Sequence, residues 1–281
     1  MCFYNVTIKL SHSATAVIVA FFATINAHAL AAQNEKRIIE SADYEVKLGF
    51  LSVGRGSLNV FAYDTVDGHS TYHATLAITG GFGPAKVRDR FESWGDAASW
   101  RTTRDVFSRR FLQNVHEVTY RKNRTYEISP ERRQWTSSDG KKGEFTDDKP
   151  LDDLTMLFYA RSLPLKVGDV YSIPRYFKPE GNPVVLRVLR RETITVPAGT
   201  FETVVVRPTI KTSGLFGEGG EAELYFSDDR FHSLIQLKSK VKVVGSLTLR
   251  LKKYQAPALS DDPAYSVAAH GAALPPTVEA R

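Results

Sequence analysis

For roughly two hundred residues this chain alternates apolar and polar side chains with a period of two, and such a chain builds β-sheet. Successive strand residues point to opposite faces, so the alternation buries one face and wets the other. Tyr44, Val46 and Leu48 open the series. A turn is expected over 49–56, after which Leu58, Val60 and Ala62 alternate with Ser57, Asn59 and Phe61. Val66-Asp67-Gly68-His69 holds the Asp-Gly pair that favours a type I′ hairpin, because both central residues need positive φ. Tyr72, Ala74, Leu76 and Ile78 share one face of the return strand, which Gly80-Gly81-Phe82-Gly83-Pro84 should break. Asp139-Gly140 marks a second hairpin and Pro197-Ala198-Gly199 a further turn.

One stretch departs from this pattern. Over 151–162, Leu154, Leu157, Phe158 and Arg161 follow the i, i+3, i+4, i+7 spacing of a helix. Asp152 and Asp153 suit its positive end, and Pro164 stops it. Its apolar stripe is expected to cover one mouth or face of the sheet.

The clearest alternation spans 237–251. Leu237, Val241, Val243, Gly245, Leu247, Leu249 and Leu251 share one face; Lys238, Lys240, Lys242, Thr248, Arg250 and Lys252 share the other. The unbroken register predicts one long bent strand of roughly 50 Å rather than a hairpin. Its lysines read as an edge guarded against strand pairing, or as a contact for acidic lipid. The fold class is therefore all-β: a long curved antiparallel sheet forming a barrel or half-barrel, with one short helix.

The N-terminus reads as a secretory signal peptide over 1–31. Lys9 precedes the apolar run 14–24, and small residues frame cleavage after Ala29 or Ala31. The run is shorter than the roughly 20 apolar residues of a membrane span, and none occurs later. Export, with the periplasm as destination, is the expectation. The domains are the signal peptide, a single β-rich domain over 32–255 and a disordered Ala/Pro/Ser-rich tail over 256–281.

The single cysteine, Cys2, lies in the leader, so the mature chain has no disulfide, thiol nucleophile or cysteine metal ligand. Without Lys9 the full-chain charge of +6 becomes +5. Such a balance suits a mixed solvated surface and leaves anionic lipid headgroups, cell-wall polymers or an envelope protein open as partners. Nucleic acid is not expected of an exported protein.

No catalytic constellation stands out. His69 and His73 lie four apart, but His69 falls in a turn with no third ligand near, so surface polar roles are expected and no metal. The loop 214–220 is glycine-rich but lacks the Lys-Ser/Thr ending of a phosphate loop, and reads as a mobile hairpin loop. The adjacent acids Asp147-Asp148, Asp152-Asp153 and Asp228-Asp229 fit turns and a helix start better than a catalytic dyad. Arg161, on the apolar helix face near Tyr159, needs a partner if buried. Asp228 or Asp229 would supply it, either as a salt bridge locking helix to sheet or beside an anion contact at a pocket mouth. Tyr159, Arg161, Asp228 and Asp229 are thus the candidate binding residues; no catalytic residue, cofactor or metal ligand is named.

Four segments together resemble the exported bacterial family of domain of unknown function 3108. They begin at Tyr44-Glu-Val-Lys-Leu-Gly-Phe-Leu-Ser-Val-Gly-Arg, at Asp152-Asp-Leu-Thr-Met-Leu-Phe-Tyr-Ala-Arg-Ser-Leu-Pro, at Ile194-Thr-Val-Pro-Ala-Gly-Thr-Phe and at Leu224-Tyr-Phe-Ser-Asp-Asp-Arg. The resemblance runs from about Tyr44 to Tyr254. It implies a β-rich envelope protein and supplies no catalytic residues. The architecture is also similar to lipoprotein-carrier half-barrels, a likeness of fold alone. The functional expectation is non-enzymatic binding of an apolar or amphiphilic envelope molecule in the concave face. The alternatives are an envelope scaffold using sheet edges and loops, and, last, a hydrolase with an unrecognised site.

Overall fold

A computed structural model of the chain describes residues 37–83, 85–100, 106–117, 120–210, 222–241 and 245–255. The leader, the loop 214–220, the tail and His270 fall outside the described residues.

Among the described residues fourteen strands form one sheet. Eight run in sequence: β1 (Arg37–Leu48), β2 (Leu51–Val66), β3 (His69–Phe82), β4 (Ala85–Asp96), β5 (Ser108–His116), β6 (Arg121–Ser129), β7 (Gln134–Ser137) and β8 (Lys142–Glu144). A short helix α1 (Ala97–Trp100) follows β4. After β8 comes helix α2 (Asp153–Arg161), then β9 (Val170–Ile173), β10 (Val184–Val196), β11 (Gly199–Thr209), β12 (Glu223–Ser227), β13 (Leu234–Val241) and β14 (Gly245–Gln255). The spatial order is β8-β7-β6-β5-β4-β3-β2-β1-β14-β13-β12-β11-β10-β9. Two meanders therefore meet at the centre, where β1 pairs antiparallel with β14. The edges are β8 and β9, so the sheet is not closed.

Local chemistry explains the turns. Asp67 and Gly68 adopt φ of 49° and 78°, the double positive φ that the β2–β3 hairpin requires. In the β7–β8 connection only Gly140, at φ 82°, takes positive φ, and Ser137 N bonds to Lys141 O across a longer turn than the Asp-Gly pair predicted. The turn expected over 49–56 is confined to Gly49-Phe50, and β2 already begins at Leu51. β3 likewise continues through Gly80 and Gly81. A Cβ on Gly54 would overlap the Thr79 carbonyl oxygen and one on Gly80 would lie 3.2 Å from the Val53 carbonyl oxygen, so these two glycines serve close strand approach rather than a break.

α2 matches the expected helix to within two residues at each end. Asp152 is its N-cap, accepting from Leu154 N at 2.8 Å and Thr155 N at 3.0 Å. Thr155 Oγ1 accepts in turn from Asp152 N at 2.8 Å, completing a capping box. The helix is buried on more than one stripe: Leu154, Thr155, Met156, Leu157 and Ala160 are all inside. Its N-terminal end bonds to β4 and β5 through Ser93, Ser108 and Gln113. Its C-terminal end reaches Glu40 of β1 and the Phe231 carbonyl before β13. Those strands would span roughly 30 Å in a flat sheet at about 4.8 Å per strand. A nine-residue helix is about 14 Å long. The sheet therefore wraps around the helix, which explains burial beyond the single predicted stripe.

The single long strand expected over 237–251 is two strands, β13 and β14, in an antiparallel hairpin. Leu237 faces Leu249 and Ser239 faces Leu247, so odd-numbered residues pair with odd-numbered ones across the turn. Side-chain parity passes through unchanged, and a hairpin of this register carries the same alternation as a straight strand. The guarded-edge reading of its lysines falls with it, because β13 is paired on both sides. Lys238 Nζ instead donates to the Tyr225 hydroxyl at 2.8 Å.

Candidate functional site

The concave face is the first place to look for a ligand, and side chains fill it. Phe111, Tyr126, Tyr176, Phe177, Leu151 and Leu154 are all 1% exposed or less. Phe177 meets Tyr126 edge-on at 5.1 Å and Phe111 at 6.2 Å, the geometry that aromatic quadrupoles favour. Trp135 closes the group at 6.1 Å from Phe177. The segment after β9 thus lays an aromatic plug against β5, β6 and β7, beside α2.

Polar groups in this core bind one another. Asp152, wholly buried, accepts from Ser93 Oγ at 2.5 Å and from Ser108 Oγ. Burial pushes its carboxyl up to about 6, against the downward pull of the Ser108 and Ser93 hydrogen bonds. Asp153 accepts from the Tyr176 hydroxyl at 2.9 Å and from Gln113 Nε2 at 3.2 Å. Lys178 Nζ donates to the Tyr126 hydroxyl at 2.9 Å and lies 4.1 Å from that ring's centre. Burial lowers its pKa, while Asp153 opposes the shift. A raised acid beside two serines resembles acid–base machinery, but Ser93, Ser108 and Asp152 are each 0% exposed. Their donors and acceptors are spent on capping the helix and tying it to the sheet.

The four residues singled out from sequence do not converge. Arg161 has its ion-pair partner in Glu40, at 3.0 Å, and not in Asp228 or Asp229. Asp228 pairs with Arg191 at 2.6 Å. Asp229 organises the turn before β13, accepting from Ser227 Oγ, Phe231 N and His232 N. Tyr159 packs against the core with the Arg175 guanidinium 5.0 Å over its ring. The helix-to-sheet lock exists, but β1 supplies the acid because α2 crosses the inside of the curved sheet.

The histidines also separate. His69 is half exposed and 3.9 Å from Glu131. His73, expected on the surface, is buried: its Nε2 is 2.7 Å from Glu92 and its ring stacks on Trp94 at 4.3 Å. That hydrogen bond is the main reason the Glu92 carboxyl is held down at about 2. Phe61, His73, Trp94 and Arg110 sit directly opposite one another across β2 to β5, forming a row of planar groups on the outer face.

A marked concavity among the described residues lies on that outer face, over β14, β1, β2 and β3. It is a groove of about 670 Å³ lined by Asp43, Tyr44, Arg55, Gly56, Ser57, Ala77, Thr79, Lys252 and Lys253. Strand register makes it. Ser57 faces Ala77 and Arg55 faces Thr79, so small outward side chains floor the trough. Asp43 faces Lys253, and the register shift between Asp43 and Tyr44 leaves Lys252 as an extra residue on β14. Three cations and one carboxylate thus surround a floor of glycine, alanine and small hydroxyls. Sequence reading missed this site because Arg55 fell inside a predicted turn and the β1–β14 pairing was not legible. The usable signal was the small outward pair Ser57 and Ala77 beside outward cations.

Fold and groove define an open antiparallel half-barrel plugged by its own helix and carrying a basic trough outside. The chain belongs to the family described as Protein of unknown function (DUF3108), whose model matches residues 43–252. Among solved structures it is similar to the crystal structure of a β-barrel-like protein of domain of unknown function DUF1849 from Brucella abortus. That match has 9% identity and a TM-score of 0.44, covering 78% of this chain and 98% of the other. No curated protein matches.

Proposed function

We propose that this is an exported, non-enzymatic periplasmic protein that binds an amphiphilic envelope molecule with an anionic head in the outer groove. The carrying observation is the trough of about 670 Å³ in which Arg55, Lys252 and Lys253 outnumber the one acid, Asp43, around an uncharged floor. That volume lies within the range of small-molecule sites, roughly 300–1,000 Å³. The cations supply the charge-assisted contacts that a phosphate or carboxylate head requires. The concave face, where the sequence pointed, is occupied by α2 and the Phe177 plug, and the proposed binding place moves outward accordingly. The leader and mildly basic balance support export to an envelope rich in anionic amphiphiles.

Equilibrium dialysis with short-chain phosphatidylglycerol tests the reading. Arg55→Glu/Lys252→Glu/Lys253→Glu, all at exposed positions, is expected to weaken binding at least about tenfold, from roughly 1 kcal/mol per cation lost. Equal affinity in wild type and variant would remove the groove as the site.

The scaffold alternative has one observation of its own. β9 is an edge strand; its first residue Val170 is 59% exposed, and Val167 just before it 49%. Such an edge can accept an added strand from another protein.

A further inference from the structure

We infer that one end of the sheet docks on an anionic lipid bilayer. The connections β1–β2, β3–β4 and β5–β6 all lie at this end, and their strands are neighbours in the sheet. The β1–β2 turn is Gly49-Phe50, with Gly49 at φ 58°. Phe50 is 86% exposed, Leu51 beside it 44%, and Tyr120 entering β6 41%. Isolated exposed apolar residues are ordinary on any protein surface. A phenylalanine at the apex of a two-residue hairpin is not, since the corresponding position of the β2–β3 turn holds Gly68 and such tips favour small polar residues.

Charge selects the occupant. Around these tips Lys86 and Arg121 are exposed and Lys47 half-buried. The acids among the described residues there are Glu117, half-buried, and Asp89, 8% exposed. Burial, with Glu117 nearby, raises the Asp89 carboxyl to about 7, which trims the negative charge at this end further. An aromatic apex flanked by cations matches the interface of an anionic bilayer: the ring enters the headgroup boundary while the cations stay among phosphates. The groove lies part-way along the same strands, around Arg55 and Thr79, so docking would present it near the membrane. The two sites remain separable by mutation.

Vesicle sedimentation of the protein as cells accumulate it tests this, using phosphatidylglycerol–phosphatidylcholine vesicles and phosphatidylcholine alone. The expected result is at least about tenfold stronger partitioning to the anionic vesicles. Phe50→Ser/Leu51→Ser and, separately, Lys86→Glu/Arg121→Glu are each expected to lose about tenfold of that. All four positions are exposed, so folding is not at stake; circular dichroism of each variant checks this. The groove variant Arg55→Glu/Lys252→Glu/Lys253→Glu should keep partitioning within about threefold of wild type. Wild-type protein that stays in the supernatant overturns the inference. So does a Phe50→Ser/Leu51→Ser variant that sediments like wild type. Loss confined to the groove variant also overturns it and assigns the lipid contact to the groove alone.

Discussion

Replacing Asp152 probes the joint that keeps the interior filled. In the folded protein its carboxyl caps α2 and holds Ser93 and Ser108, with a pKa raised by burial from 3.8 to about 6. That rise corresponds to roughly 3 kcal/mol between the two protonation states. Below pH 4 the group is neutral in folded and unfolded chains alike, and the folded state carries no penalty. Between about pH 4 and 6 the unfolded chain loses its proton first, so wild-type stability falls as pH rises. Above about 6 the loss is complete. Asp152→Asn cannot ionise and keeps a carbonyl for the Leu154 and Thr155 amides. The stability of the Asp152→Asn variant relative to wild type should therefore climb by up to about 3 kcal/mol across that window and stay flat on either side. Asp152→Ala at pH 4.5 loses the cap, about 1 kcal/mol, and strands buried hydroxyls at about 1–3 kcal/mol. A net loss of about 2–4 kcal/mol is expected from these two costs together. Urea unfolding followed by tryptophan fluorescence at pH 4.5, 6 and 8 reads all three proteins. A difference between Asp152→Asn and wild type that does not change with pH would refute the reasoning. So would an Asp152→Ala variant as stable as wild type at pH 4.5.

Three further outcomes follow from the same structure. Asp89→Asn keeps an acceptor for the His116 amide, which lies 3.0 Å from the carboxylate, and removes a charge whose pKa burial raises to about 7. Its stability relative to wild type should be higher at pH 8 than at pH 4 by up to about 4 kcal/mol, by urea titration. Gly54→Ala drives a Cβ into the Thr79 carbonyl oxygen and to 2.5 Å from Gly80 Cα. The clash is with backbone, so a loss of about 2 kcal/mol or more is expected, lowering Tm by about 5 °C or more in calorimetry. Arg161→Met leaves Glu40, 3% exposed at its side chain, without its cation and should destabilise by about 3–5 kcal/mol. Adding Glu40→Met should recover most of that loss, since a buried pair replaced by apolar groups is often neutral. A double variant no better than the single would contradict the pairing.

Elements set by neighbouring residues were legible in the sequence. Asp67-Gly68 predicted its hairpin because positive φ at two consecutive residues is a local requirement. Asp152 and the spacing of Leu154, Leu157 and Phe158 predicted α2 for the same reason. What was lost depended on pairing between distant segments. The partner of Arg161 lies 121 residues away in β1, and no local pattern favours Glu40 over Asp228. The β13–β14 hairpin hid because its register conserves parity, leaving periodicity blind to the turn. The basic groove draws on β14, β1, β2 and β3 together. It exists only once the two ends of the domain meet, and Lys252 joins it through a one-residue register shift that alternation does not reveal. The aromatic residues were visible, but their division between lining a cavity and filling it was decided by the plug carrying Tyr176 and Phe177.

The central claim is that an amphiphile is held in the outer groove and not inside the sheet. Photolabelling with a short-chain phosphatidylglycerol bearing a diazirine in its acyl chain, followed by peptide mapping, tests it most directly. Labels on the strands that line the trough, in the peptides containing Ser57, Ala77 and Lys252, are the predicted result. They should disappear in Arg55→Glu/Lys252→Glu/Lys253→Glu. Labels concentrated on α2 and the Phe177 segment, or no specific labelling, would contradict the account.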